Sequence, residues 1–245
     1  MNMTRFFISA FLLSTFLVSF SQQPKPKGKQ ARQQKRVERK QSKTTQSGPA
    51  ETNDKKAEKI LDAVSKKYKA NKTFQAKFTY SIENKADNIK ENQSGTISTS
   101  GSSFRVEIAG QEIFSDGKVI YTYNKEVNEV SINNYSPKDA DINPSEIFTM
   151  YQKGFLYRLI DEKTEGGKVV QNLELTPKDK KKTFFKVKVT VDKAASQIIR
   201  SVIYDKNGNI YTYNVTKQTA NPKLDKSYFV FDKKKYPGVQ VVDLR

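Results

Sequence analysis

Residues 102–124 read SSFRVEIAGQEIFSDGKVIYTYN, and this stretch decides the fold. Side chains alternate across a strand, so Phe104, Val106 and Ile108 share one face while Arg105, Glu107 and Ala109 share the other. The same alternation groups Val119, Tyr121 and Tyr123. Between the apolar runs stands Asp116-Gly117, a pair that favours a tight hairpin turn. Strands are therefore expected near 102–109, 111–115 and 118–124, each folding back on the last.

The pattern continues in both directions. Further runs of Phe, Tyr, Ile and Val predict strands near 74–82, 94–99, 127–133, 156–161, 169–176, 184–191, 198–204, 210–217 and 228–231. Gly166-Gly167 and Asn207-Gly208 mark two more turns. Helical spacing appears twice. Ala57, Ile60, Leu61, Val64 and Tyr68 recur on one face of a helix to about Ala70, with Asn53 or Asp54 available as N-cap. A short helix is expected from Pro144 to about Lys153, with Ile147, Phe148 and Tyr151 on one face and Gly154 ending it. The fold class is mainly β with α: a single curved antiparallel sheet forming a half-open barrel over residues 54–245, capped by an N-terminal helix and a short lid helix.

The N-terminus has a different character. Arg5, an apolar stretch over residues 6–20 and Ser19-Phe20-Ser21 predict a signal peptide, 1–21, cleaved before Gln22. The apolar stretch is shorter than the roughly 20 residues of a membrane-spanning helix. A soluble periplasmic protein is expected. Residues 22–53 read as a basic disordered linker, since Val37 is the one strongly apolar residue between Gln22 and Ala50. That segment holds nine Lys/Arg and one acid, Glu38, whereas residues 51–245 hold 34 basic and 25 acidic residues. The linker is either a solvated tether or, through residues 25–43, a contact for an anionic membrane surface, where each basic residue contributes about 1 kcal/mol.

Composition removes whole classes of chemistry. The chain has no Cys and no His. Thiolate nucleophiles, disulfides, a cysteine-borne lipid anchor, serine triads and the usual zinc hydrolases are excluded. Glu107, Glu112 and Asp116 are close in sequence, but solvated charges on strand faces and a turn account for them. No catalytic residue, metal or cofactor is expected, and an exported chain without a binding module is no nucleic-acid partner.

Alternation alone leaves two readings of the apolar faces, a packed core or the lining of a ligand cavity. A barrel of about a dozen strands tips the balance, because its interior is too wide for side chains to fill. The candidate cavity residues are Phe78, Tyr80, Phe104, Val106, Ile108, Ile113, Tyr121 and Tyr123. The candidate lid residues are Ile60, Leu61 and Val64 on the first helix and Ile147, Phe148 and Tyr151 on the second. The tyrosines fit two roles, strand stabilisation or the lining of a cavity mouth.

Several segments together resemble the LolA family of outer-membrane lipoprotein carriers. They are the first helix followed by Phe74-Gln75-Ala76-Lys77-Phe78-Thr79, Ser115-Asp116-Gly117-Lys118 leading into Tyr121-Thr122-Tyr123-Asn124, and Leu175-Thr176-Pro177-Lys178. Phe229-Val230-Phe231-Asp232 with Tyr236-Pro237-Gly238-Val239 is similar to the family's closing strand. The resemblance extends from about Ala57 to Leu244. It implies a monomeric carrier that takes acylated lipoproteins from an inner-membrane releasing transporter, shields their acyl chains and passes them to an outer-membrane acceptor. It also implies that Phe104, Val106 and Ile108 line the cavity. One departure stands out: the family's basic residue before the Phe104 position, which latches the lid, is replaced by Ser100-Gly101-Ser102-Ser103, and alternation points Arg105 away from the cavity. A sensing module of the same architecture is the alternative; such sensors carry a second domain, and this sequence ends soon after its closing strand.

Overall fold

Among the described residues twelve strands lie side by side in one curved, open sheet, and their order along it places the last strand at one edge. The computed structural model describes residues 53–136, 148, 149, 151 and 154–245, which belong to the compact unit Ala50–Arg245. Helix α1 spans Lys55–Lys69. The strands are β1 Phe74–Asn84, β2 Ile89–Ser100, β3 Ser103–Ile108, β4 Gln111–Ser115, β5 Val119–Asn124 and β6 Glu129–Asn134. They continue as β7 Phe155–Glu165, β8 Lys168–Pro177, β9 Phe184–Asp192, β10 Gln197–Asp205, β11 Ile210–Ala220 and β12 Gln240–Asp243. In space the order is β12-β6-β5-β4-β3-β2-β1-β11-β10-β9-β8-β7. Two meanders are thus joined by the pairing of β1 with β11.

The expectation of an antiparallel sheet holds for every pair but one. β12 runs parallel to β6, with Gln240 opposite Glu129 and Asp243 opposite Ile132. The strand expected at 228–231 is a 3-10 turn, Lys226–Phe229, so the Phe229-Val230-Phe231 alternation misled. Aromatic alternation serves equally for an irregular segment that presses Phe229 and Phe231 onto a neighbouring surface, and that is what happens here. The helix expected from Pro144 to Lys153, the signal peptide and the linker up to residue 52 lie outside the described residues, apart from Phe148, Thr149 and Tyr151.

α1 forms where its spacing demands. Asp54 caps it by accepting a hydrogen bond from Lys56 N at 2.7 Å, and Lys66, Lys67 and Lys69 place positive charge at the C-terminal end of the helix dipole. The cap also fastens the helix to the sheet edge: Asp54 N donates to Tyr157 O at 3.0 Å, and Leu159 N donates to Asp54 Oδ2 at 3.2 Å. Edge strand β7 thereby loses part of its free hydrogen-bonding row. Ala57, Leu61, Val64, Ser65 and Tyr68 are buried and pack α1 against β7 and β10.

Candidate functional site

Pairing register fixes which side chains share a face. The inner face, under α1, carries Phe74, Ala76, Phe78, Tyr80 and Ile82 from β1, opposite Ile97 and Gly95 of β2. Across β3 it continues with Phe104, Val106 and Ile108, and across β4 with Ile113. In the other direction Tyr211 and Tyr213 of β11 stand opposite Ile82 and Tyr80, followed by Ile203, Val187, Val189, Leu173 and Leu175. Nearly all of the aliphatic members are buried, and each contributes about 2 kcal/mol relative to exposure.

The centre of this face differs from its flanks. Phe78, Tyr80, Tyr211 and Tyr213 are only half-buried. Their rings form a continuous strip, with centroid separations of 6.0 Å for Phe78–Tyr213, 5.0 Å for Tyr80–Tyr213 and 6.3 Å for Tyr80–Tyr211. Phe78 reaches its place because β2 offers glycine beneath it: a Cβ on Gly95 would lie 2.6 Å from Phe78 Cζ and 2.8 Å from the Glu107 carbonyl. Burial pushes the hydroxyls of Tyr80 and Tyr213 well up, and that of Tyr211, which donates to Asp205 Oδ2 at 3.2 Å, up to about 12. The strip stays uncharged and presents ring faces with a few hydroxyls, a surface suited to hydrocarbon.

Two expected lid residues meet the inner face. Phe148 stacks on Tyr68 at 4.7 Å and stands edge-on to Phe74 at 5.0 Å. Tyr151 is buried beside Phe155, and burial raises its hydroxyl pKa against a hydrogen bond with Ser201. Ile147 lies outside the described residues. On α1, Leu61 and Val64 are buried while Ile60 is half-buried.

Tyr121 and Tyr123 are corrected. They stand opposite Phe114 and Glu112, on the outer face, whereas Thr122 pairs with Ile113 on the inner face. Residues 226–239 cross the outer face as a strap and cover them: Tyr121 stacks on Phe231 at 6.1 Å and Tyr123 meets Tyr236 at 4.4 Å, over Phe114, Val130 and Val239. The residues missed were Tyr211 and Tyr213, although the alternation Ile210-Tyr211-Thr212-Tyr213 carried the signal.

Of the three acids expected to be solvated, Asp116 is exposed in its turn and Glu107 is half-exposed, whereas Glu112 is buried. Arg105 is on the outer face, as alternation required, between the rings of Phe114 and Tyr228, its Cζ 4.6 and 4.7 Å from their centroids. Glu112 is buried and holds Arg105 at 2.7 Å, Lys125 at 2.8 Å and the Tyr236 hydroxyl at 2.8 Å. Burial opposes its ionised form, but the hydrogen bonds from Lys125 and Tyr236 and the charge of Arg105 prevail and lower its pKa. Tyr236 donating to Glu112 fastens the strap. Among the described residues no three acidic, His or Cys side chains converge as a metal site, and no helix is long and apolar enough to cross a membrane.

Comparison with known proteins places this sheet. No curated protein matches the sequence. Among solved structures, an uncharacterized conserved protein from Thermus thermophilus superposes with a TM-score of 0.50 at 16% identity, over 76% of this chain and 97% of its own. A LolA superfamily protein from Nitrosomonas europaea gives 0.41 at 14% identity, over 72% and 98%. LprF from Mycobacterium bovis gives 0.42 at 12%, over 71% and 98%. The first of these likenesses concerns the fold alone. The sequence profile of outer membrane lipoprotein carrier protein LolA matches residues 69–232, more than half of the chain, from the end of α1 through the strap's Asp232, and by that match the chain belongs to the LolA family.

Proposed function

We propose that this protein is a periplasmic carrier that shields the acyl chains of lipoproteins against the inner face and ferries them from the inner to the outer membrane. The supporting observation is the half-buried aromatic strip, Phe78, Tyr80, Tyr211 and Tyr213, in the middle of an otherwise buried apolar face. A sheet that needed only a core would close over those rings. Family membership and the uncharged lining favour binding over catalysis. On this reading residues 1–21 are a cleaved signal peptide, 22–53 a basic tether and 54–245 the binding domain. The transporter and acceptor of the family are the partners.

Energetics suit a carrier. Transfer of an acyl chain out of water is favourable by about 0.8 kcal/mol per methylene, roughly 10 kcal/mol for one long chain. Moving Phe148 and Tyr151 aside to admit it lowers net affinity by the cost of opening, so a tighter acceptor can take the cargo.

The test is native mass spectrometry of the mature protein purified from cells, with lipid extraction of the same sample. Acyl chains or acylated protein should accompany the wild type and be depleted at least tenfold in Ile108→Lys, a half-buried inner-face position where a charge blocks hydrocarbon without opening the core. A wild type that is empty and does not accept an acylated peptide overturns the carrier reading.

A further inference from the structure

One corner of the sheet carries charge and an exposed ring that the carrier reading leaves unused. Residues 178–188, the β8–β9 connection and the start of β9, hold six lysines and a single acid, Asp179. The β10–β11 turn adds Lys206, whose Nζ donates to Lys180 O at 2.6 Å and whose N donates to Thr183 O at 3.0 Å, so the two turns form one surface. Two acids of the neighbouring strands are already engaged. Asp205 is buried and accepts from Asn209 and Tyr211, and Glu174 is held by Arg158 at 2.6 Å, which leaves Asp179 as the one acid against the lysines of its turn.

Phe185 completes the corner. Tyr204 pairs with Lys186 and Asp205 with Phe184, so Phe185 is the extra residue of a β-bulge. It is 48% exposed. Lys186 holds the aromatic surface beneath, its ammonium 4.4 Å from the Tyr204 ring centroid and 5.7 Å from that of Phe185.

We propose that this corner docks the protein on an anionic lipid bilayer, with the lysines on phosphate headgroups and Phe185 in the interfacial layer. The chemistry matches a fluid surface. Lys178, Lys180, Lys181, Lys182 and Lys206 stand on the two turns, their charge is diffuse, and one projecting ring offers an insertion point without a shaped pocket. A rigid acidic protein would call for fixed, complementary geometry, which lysines on two turns do not supply. The corner is separate from the inner face, so docking and acyl binding are distinct properties.

The experiment is co-sedimentation of the mature chain with phosphatidylcholine vesicles, with and without phosphatidylglycerol, at two salt concentrations. Binding should require phosphatidylglycerol and weaken with salt. The variant Lys180→Ala/Lys181→Ala/Lys206→Ala should bind on the order of a hundredfold more weakly, at about fivefold for each charge removed. Phe185→Ser should lose about tenfold. All four positions are exposed, and an unchanged thermal melt verifies folding. The proposal is overturned if the triple variant binds like wild type while neutralising Lys25, Lys27 and Lys29 abolishes binding, which would assign the lipid to the tether. It is equally overturned if soluble polyglutamate binds as tightly as the vesicles, which would indicate an acidic protein. Acyl loading of the triple variant, measured by lipid extraction, should match wild type, so loss of docking is distinguishable from failure of the carrier reading.

Discussion

The two ends of the sheet solve the same burial problem differently. At the β7–β10 end the inner face is buried at Val187, Val189, Leu173 and Leu175, with α1 packed against β7 and β10, and the outer face shows the ion pair Arg158–Glu174 with Lys186 and Lys188. At the β3–β6 end both faces are covered: Phe104, Val106 and Ile113 inside, and Phe114, Tyr123 and Val130 outside under the strap. An alternating strand needs one cover, whereas a doubly apolar strand such as β4, with Ile113 and Phe114 adjacent, needs two. The strap exists because the second face exists.

The contrast is broken most directly at Phe114. Phe114→Ala should lower the unfolding free energy by about 4 kcal/mol in denaturant titration, because the fully buried ring packs against Phe231 and Tyr236 and its loss leaves a cavity under the strap. A loss under about 1 kcal/mol would mean that the strap is not part of the cooperative fold and that the two ends are alike.

Glu112→Gln should cost about 2 kcal/mol at neutral pH, since Arg105 loses its buried partner, though it keeps Glu107 at 2.7 Å, and the Tyr236 fastening weakens. The folded-state pKa of Glu112 is lowered, so its contribution is present above the unfolded carboxylate pKa and is lost as pH falls through the folded value. The stability gap between wild type and variant should therefore narrow in acid. A gap that stays constant would mean that packing, not charge, fastens the strap.

The smallest effect belongs to the helix end. Asp54→Ala removes the N-cap and the acceptor for Leu159 N, for a loss of about 1 kcal/mol. The carboxyl is held below its ordinary pKa by the backbone N–H groups of Lys56 and Leu159, so this contribution too fades as pH falls. Amide exchange at Leu159 should accelerate while that at Val130 stays unchanged. Equal acceleration at both would show that the two ends unfold as one.

Local chemistry made much of this legible. The spacing of Ala57, Leu61, Val64 and Tyr68 needs only helical geometry, and the helix forms there with Asp54 as cap. Alternation from Phe104 to Ile108 sets one face, and the register keeps those three together with Arg105 opposite. The Asp-Gly and Asn-Gly turns fall where their backbone preferences place them, with Gly117 and Gly208 at positive φ. What the sequence by itself determined was which residues share a face within one strand. Which strands then share an inside was decided by tertiary structure, since each face is joined to the next by pairing register, and a one-residue offset sends Tyr121 and Tyr123 outward while Ile120 and Thr122 turn in. The same holds for Tyr211 and Tyr213, brought to the site by the long-range pairing of β1 with β11, and for the strap, whose aromatic alternation looks like a strand until the outer face it covers is known.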